Sequence, residues 1–187
     1  MYTASVAEAL DIADAHHWTR QPPLSDRARL RFLNAYHTDI HALAERLNTA
    51  PGTVRSILDR SQTTLDEPLR QAILREVIRL WQPRVRRRAH REIATDPHLG
   101  IWVQFRAWFG FNGAVGSSDD GRRRDLSQGL AHPFPARLFE ARYRNAPEHE
   151  LRQIVADAVG EAYFGVSPSG RLHMVRFTDI EYIAFSY

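Results

Sequence analysis

Residues 116–124 read Gly-Ser-Ser-Asp-Asp-Gly-Arg-Arg-Arg and bring together side chains that could do chemistry on a phosphate. The segment offers the hydroxyls of Ser117 and Ser118, then two carboxylates and three guanidinium groups. A hydroxyl on a glycine-flanked turn beside arginines can attack, or become attached to, a phosphorus centre. A serine followed by two aspartates is also a frequent helix start, with the serine as N-cap. Taken alone, the motif leaves both interpretations open.

The composition predicts a folded protein that relies on arginine for its positive charge. The 187 residues fit one ordinary domain or two small ones, and 43% of them are hydrophobic, enough for a packed core. All 25 basic residues are arginines, and the pI is about 9.7. The planar guanidinium group suits bidentate phosphate binding, so the positions of the arginines matter more than their sum.

Several features that define other classes of protein are missing from the sequence. No apolar run approaches the roughly eighteen residues of a membrane span, and no charged and apolar leader is visible. The chain has no cysteine, which excludes disulfides, thiol nucleophiles and cysteine-bound zinc. The adjacent His16 and His17 point apart on a helix and make a poor metal site. We therefore expect a cytoplasmic protein without a membrane partner that binds no metal or cofactor itself.

Residues 25–60 have the apolar spacing of three short helices. The second helix is predicted near Thr38–Leu47 and the third begins at Pro51, after a tight connection. This pattern resembles a helix-turn-helix, whose second helix enters the DNA major groove. A helical hairpin within a core is the alternative interpretation. The outward residues of the third helix, which we predict to contact DNA, are Gly52, Thr53, Arg55, Ser56 and Arg60.

A long helix with a basic second half is predicted from Leu69 to about Ile93. Its first half carries an apolar stripe, and arginine dominates after Pro83. Such a run often forms a solvated face. Directly after a helix-turn-helix, it is expected to extend the contact with DNA phosphates. The phosphate-binding arginines predicted here are Arg84, Arg86, Arg87, Arg88 and Arg91.

The periodicity changes after about residue 95, which predicts a second domain. Residues 101–109 alternate as in a strand, with aromatic side chains on both faces. Packing on both faces explains those rings, and base stacking by Trp108 or Phe111 is the alternative. Two helices are predicted at about 136–144 and from 148 to about 164, then two strands at 172–177 and 180–185.

The predicted fold class is therefore α+β, with a boundary near Thr95. Residues 1–94 would form an N-terminal helix-turn-helix bundle with a long basic helix, which binds DNA. Residues 95–187 would form a small C-terminal α+β domain that carries the serine-containing loop.

Five segments, in order along the chain, are similar to one known family. On these segments the chain resembles the telomere terminal proteins (Tpg type) of actinobacterial linear chromosomes and plasmids, over nearly all of residues 40–187. The segments are Trp81–Arg86, Phe109–Asp120, Ala136–Ala141, Glu150–Ala156 and Phe177–Tyr182.

The resemblance implies a protein primer rather than an enzyme, covalently joined to the 5′ ends of linear DNA. The family's acceptor hydroxyl falls on Ser118, with Ser117 beside it, and serine replaces threonine at both positions. The resemblance also implies three partners: telomeric DNA, a telomere-associated DNA-binding protein and a DNA polymerase. The location would be the nucleoid, at the ends of linear DNA. Under this hypothesis Mg²⁺ comes with the polymerase. Template or triphosphate would be held by Arg122, Arg123 and Arg124.

Two other functions remain open from the residues. A helix-turn-helix transcriptional repressor would use the C-terminal half for dimerisation or sensing, so a homodimer is one expected form. A metal nuclease would need ligands beyond Asp119 and Asp120, because adjacent carboxylates alone make a poor two-metal site.

Overall fold

The fold is α+β in the computed structural model of the chain, as the sequence predicts. The structure describes residues 3–59, 64–96, 98–111, 120–165 and 175–187. In chain order, its elements are α1 (Val6–Ala13), a 3-10 turn (Asp14–His17), α2 (Asp26–His37), α3 (Ile40–Arg46), α4 (Pro51–Leu58), α5 (Glu67–Leu80), α6 (Pro83–Thr95), β1 (Ile101–Gly110), β2 (Arg122–Leu130), α7 (Phe134–Tyr143), α8 (Glu148–Phe164) and β3 (Arg176–Ser186).

Contacts divide the chain into two compact units. The helical unit is Trp18–Pro83, and the sheet unit combines Met1–His17 with Arg84–Tyr187. This division differs from the predicted boundary between residues 94 and 95. The reason is packing, since Leu10 of α1 and Ile93 of α6 lie in the same hydrophobic core as the strands. The apolar pattern of a helix shows that it is buried, but not against which neighbour.

The helical unit contains α2 to α5 around one core. The three short helices predicted between residues 25 and 60 are confirmed as α2, α3 and α4. Ser25 caps α2, because its hydroxyl accepts the backbone N–H of Ala28. The buried apolar side chains of the unit are Leu30, Leu33, Leu43, Ala44, Leu47, Val54, Ile57, Leu65, Ile73, Val77 and Leu80.

The connection between α3 and α4 is a Schellman turn with asparagine in place of glycine. Asn48 has a φ of 52°, the left-handed region that asparagine tolerates better than most residues. Its N–H donates to Glu45 O at 3.0 Å, and the N–H of Thr49 donates to Ala44 O at 2.9 Å. Ala50 offers no side-chain cap to α4, which begins at Pro51, where a missing N–H costs nothing.

The predicted long helix from Leu69 to Ile93 is wrong, because the chain breaks between α5 and α6. Pro83 lacks the N–H that would continue the helix, and its ring disfavours helical geometry at the preceding residue. Gln82 accordingly has a φ of 45°. The break is fixed within the helical unit, where the indole N–H of Trp81 donates to Arg20 O at 2.9 Å. The basic run therefore lies on a separate helix, α6.

The sheet unit is built on three antiparallel strands in the order β2-β1-β3. The predicted strand at 101–109 is confirmed as the central strand β1. One face of β1, which includes Phe105 and Phe109, is buried in a core with side chains of α7 and α8. The carboxylate of Glu148, the first residue of α8, accepts the N–H of Val6 at 2.6 Å and so joins α8 to the start of α1.

The other two strands differ from the prediction. Residues 122–130 form β2, a strand that the sequence did not predict, and a helix start after the serines was one of two interpretations of that motif. The segment has few apolar residues, and its strand character comes from pairing with β1. The predicted strand at 180–185 belongs to a single strand, β3, which begins at Arg176 and bends at Asp179, where φ is 48°. The segment 172–174 lies outside the described residues. The helices predicted at about 136–144 and 148–164 are confirmed as α7 and α8.

Candidate nucleic-acid interface

Four of the five residues that the sequence predicted to contact DNA from the third short helix lie on α4. Gly52 and Arg55 are exposed, and Thr53 is partly exposed. Ser56 is also partly exposed, and its hydroxyl donates to the carbonyl of Thr53 at 2.9 Å. The opposite face, with Val54 and Ile57, is buried in the core of the helical unit. Arg60 lies outside the described residues.

The outer face of α6 is strongly basic. Four of its predicted phosphate-binding arginines are exposed, namely Arg84, Arg87, Arg88 and Arg91. Arg88 pairs with Glu92 at 2.9 Å, one turn further along the helix. The guanidinium carbon of Arg87 lies 6.0 Å from the ring centre of Tyr143 in α7. Exposed guanidinium groups along one helix face can contact successive phosphates of a DNA strand.

Arg86 departs from this pattern, because its side chain points into the sheet unit and is 14% exposed. Its NH1 atom lies 3.6 Å from the carboxylate of Asp11 and 3.5 Å from that of Asp14. Asp11 also accepts two hydrogen bonds from Arg142, the shorter at 2.6 Å. Burial raises the pKa of Asp11, while the charges of Arg142 and Arg86 work in the opposite direction. Arg86 balances buried charge and does not lie on the outer face with the other four arginines.

A buried polar cluster lies beneath the basic face of α6. The Nε2 atom of His90 lies 2.6 Å from Asp14 Oδ1, and a carboxylate can only accept, so Nε2 carries the hydrogen. The other ring nitrogen, Nδ1, is then free to accept the hydroxyl of Tyr143 at 2.7 Å. Phe139 stacks on the imidazole with ring centres 3.7 Å apart. The hydroxyl of Tyr187 donates to Asp14 as well, at 2.6 Å.

Sequence reasoning missed this cluster, and little in the sequence reveals it. Its members come from α1, the 3-10 turn, α6, α7 and the residue after β3, so no local spacing connects them. One feature of the sequence indicates buried charge here. Asp11 and Asp14 are three residues apart in a stretch that also carries an apolar helical face. The burial of Tyr187, together with the charge of Asp14, raises the pKa of its phenol. The cluster fixes the orientation of α6 and therefore the direction in which its outer arginines point.

The predicted nucleotide acceptors, Ser117 and Ser118, lie outside the described residues, as does Asp119. Phe111 and Asp120, the described residues that flank the segment 112–119, lie next to each other and form an isolated β-bridge. The N–H of Gly121 donates to the carbonyl of Phe111 at 2.9 Å. A β-carbon placed on Gly110 would come within 2.6 Å of the Gly121 α-carbon. Such a close approach of two backbones needs glycine at this position.

The three arginines of β2 divide between the two faces of the sheet, because side chains alternate along a strand. Arg122 and Arg123 are exposed, and Arg123 pairs with Glu181 of β3. Arg124 is 6% exposed. It donates to the carbonyls of Phe109 and Asp120, each at 3.1 Å, and to the Tyr163 hydroxyl at 3.0 Å. Arg124 therefore joins β2 to β1 and α8, and its guanidinium group is occupied by these internal acceptors.

The second face of the sheet, opposite the core, is a further surface of the described part of the sheet unit. On β1 it presents Trp102, Gln104, Arg106 and Trp108, which alternate with the buried side chains. Arg106 pairs with Asp125 of β2 at 2.9 Å, and the hydroxyl of Tyr182 donates to the same carboxylate at 2.9 Å. The strand at 101–109 thus has one packed face and one face with exposed aromatic and charged side chains.

Comparison of the chain with models of protein families, with curated proteins and with solved structures gave no match. Across the described ranges, histidine and carboxylate side chains form no group of three or more that could hold a metal ion. None of the helices that the structure describes combines the length and apolar character of a membrane-spanning segment. The function therefore has to be argued from the residues and their geometry.

Proposed function

We propose that this protein binds the ends of linear DNA and serves as the primer for the synthesis that completes them. In this proposal the outer faces of α4 and α6 contact duplex DNA. Ser118, or Ser117 beside it, accepts the first deoxynucleotide. The protein would act with a DNA polymerase and a telomere-associated DNA-binding protein, at the ends of linear DNA in the nucleoid. The sequence resemblance to telomere terminal proteins supplies the priming part of the proposal.

The exposed basic face of α6 is the observation that carries the DNA-binding part. Arg84, Arg87, Arg88 and Arg91 lie on the outer side of a helix whose inner residues, Ala89, His90 and Ile93, are buried. Arginine is well suited to phosphate, because its planar group donates two parallel hydrogen bonds. The short polar face of α4, with Arg55 and Gly52 exposed, supports the same interpretation.

The proposed reaction is a nucleotidyl transfer to a serine hydroxyl. The Ser118 oxygen attacks the α-phosphorus of a deoxynucleoside triphosphate and forms a phosphodiester, while the bond to the β-phosphate breaks and pyrophosphate leaves. The serine proton passes to solvent or to a base of the polymerase. Mg²⁺ that accompanies the polymerase lowers the pKa of the alcohol and stabilises the charge on phosphorus. This chain contributes the hydroxyl in the position of a primer 3′-OH.

The experiment is a labelling reaction with full-length protein, its DNA polymerase, a telomeric template and a radiolabelled deoxynucleoside triphosphate. We expect a protein–nucleotide adduct that alkali releases. Ser118→Ala, or the double change of Ser117 and Ser118, should abolish it. Ser127→Ala is the matched control, since Ser127 is an exposed serine of β2 in the same unit. Full labelling of the double variant would refute the priming proposal.

The repressor alternative gives a different result in a footprinting experiment. A dimeric repressor protects two half-sites about 34 Å apart within a duplex and forms no adduct. A terminal protein should instead protect the end of a linear fragment. Internal protection without adduct would therefore favour the repressor.

A further inference from the structure

The face of the sheet opposite the core carries two tryptophans on the same strand. Trp102 and Trp108 both lie on β1, on the side opposite the buried Phe105 and Phe109. Trp102 is 58% exposed, an unusual exposure for the largest apolar side chain. Six residues of strand at about 3.4 Å each place the two tryptophans about 20 Å apart.

Both indole rings lie against glycines, Gly129 within β2 and Gly121 directly before it. A β-carbon on Gly129 would sit 3.7 Å from Cε2 of Trp102. On Gly121, a β-carbon would come within 2.0 Å of Cζ2 and Cη2 of Trp108. Each ring therefore rests on backbone that has no side chain beneath it. Trp102 is largely exposed in this position, and Trp108 is partly exposed.

Arginines lie between and beside the two rings. Arg106 is 48% exposed and Arg123 is 63% exposed. Arg176, at the start of β3, is exposed next to the buried Phe177, so it points to the same face. Asp125 pairs with Arg106 and Glu181 pairs with Arg123, which holds these two guanidinium groups at the level of the sheet. The face thus combines two indole rings with arginines between and beside them, two of which are paired with carboxylates.

We infer that this sheet face binds single-stranded DNA, with unpaired bases stacked on Trp102 and Trp108. Arg106, Arg123 and Arg176 contact the phosphates of the strand. Alternating aromatic platforms and cations are the chemistry of sequence-tolerant strand binding. Duplex DNA does not fit this surface, because its bases are already stacked on each other. The inference goes beyond the proposed function, since it requires neither the serine adduct nor duplex contact by α4 and α6.

The test measures the affinity of the full-length protein for a fluorescently labelled oligothymidylate by anisotropy, with a duplex of equal length as competitor. Trp102→Leu keeps an apolar side chain and removes the aromatic ring. Because Trp102 is exposed, the substitution leaves the packed core of the sheet unit unchanged. Trp108→Leu tests the second ring. The matched control is Tyr36→Leu, because Tyr36 is an aromatic residue that is 52% exposed in the helical unit.

We expect Trp102→Leu and Trp108→Leu each to weaken oligothymidylate binding about tenfold, the size expected for one stacked base, while Tyr36→Leu has no effect. Equal binding by wild type and both tryptophan variants would overturn the inference. The inference would also be overturned if the duplex competed as well as unlabelled single strand, because the protein would then be attracted to phosphate alone. A second copy of the chain could occupy this sheet face instead. The protein would then form a concentration-dependent dimer that Trp102→Leu dissociates, and this result would also overturn the inference.

The outcome of the oligothymidylate experiment does not depend on the outcome of the labelling experiment that tests the proposed function. The variant that lacks Ser117 and Ser118 should bind the oligothymidylate as wild type does. If the wild-type protein binds the oligothymidylate but forms no nucleotide adduct, the priming proposal alone is rejected. If it forms the adduct but does not bind the oligothymidylate, this inference alone is rejected.

Discussion

The Nε2 atom of His90 lies 2.6 Å from Oδ1 of Asp14 and connects the middle of α6 to the turn that follows α1. The same oxygen accepts the hydroxyl of Tyr187 at 2.6 Å. One buried carboxylate therefore holds three segments that are distant in sequence. This contact, with the packing of Ile93, explains why α6 belongs to the sheet unit.

Removing that carboxylate should destabilise the protein. Asp14→Ala leaves His90 and Tyr187 without their common acceptor and Arg86 without one of its two carboxylates. We expect the free energy of unfolding to fall by about 3 kcal/mol, the cost of breaking a buried charge pair. The free energy of unfolding is measured by urea denaturation, with circular dichroism as the signal. Glu92→Ala removes an exposed partner of Arg88 on the same helix and should leave the midpoint near that of wild type. Equal loss in both variants would contradict this account.

Neighbouring arginines of α6 should behave differently in DNA binding. Arg87 is exposed, whereas Arg86 faces Asp11 and Asp14. Arg87→Gln should weaken duplex binding and reduce the slope of log K against log salt concentration by about one, as expected for one lost phosphate contact. Arg86→Gln should lower stability and leave that slope unchanged. Binding titrations at several salt concentrations test both variants, and a reversed pattern would mean that Arg86 faces the DNA.

The helical unit should lose stability in acid through Glu76 of α5. Burial alone would raise the pKa of Glu76, but hydrogen bonds and charge from Arg79 and Arg46 outweigh it, and the net pKa is lowered from an ordinary value of 4.5. His37 is a further neighbour, at 3.1 Å. Because the folded-state pKa lies below the unfolded one, the ionised carboxylate stabilises the fold above pH 4.5. That stability is lost as the pH falls from there through the folded-state pKa.

The corresponding measurement is urea unfolding as a function of pH. Glu76→Gln should lower stability at neutral pH and flatten the dependence in the acid range. Glu45→Gln changes an exposed carboxylate of α3 and should leave the pH profile as in wild type. A profile that Glu76→Gln does not alter would show that other groups control acid unfolding.

Two glycines lie against tryptophan rings, Gly121 before β2 and Gly129 within it, and they should tolerate alanine differently. A β-carbon on Gly121 would collide with the Trp108 ring at 2.0 Å, whereas on Gly129 it would sit 3.7 Å from Trp102, an ordinary contact. Gly121→Ala should therefore cost about 1–3 kcal/mol of stability through overpacking. Gly129→Ala should leave the stability close to that of wild type. Thermal unfolding of both variants gives the comparison, and similar losses would place the Trp108 ring elsewhere.

The sequence determined those elements whose apolar pattern is strong and local. The 3.6-residue spacing identified α2, α3, α4 and α8, and strict alternation identified β1, because each pattern reflects a single buried face. Turn chemistry was also readable in part, as Ser25 caps α2 and Pro51 begins α4. The same reasoning overlooked the effect of Pro83 in a run that otherwise favours helix.

Tertiary structure alone decided which arginines face water. Residues 84–91 and 122–124 read as two uniform basic runs, yet Arg86 and Arg124 point inward to balance carboxylates and carbonyls. It also made residues 122–130 a strand, through pairing with β1. The physical reason is that a guanidinium group is stable either in water or beside buried acceptors. Only the arrangement of distant segments supplies those acceptors.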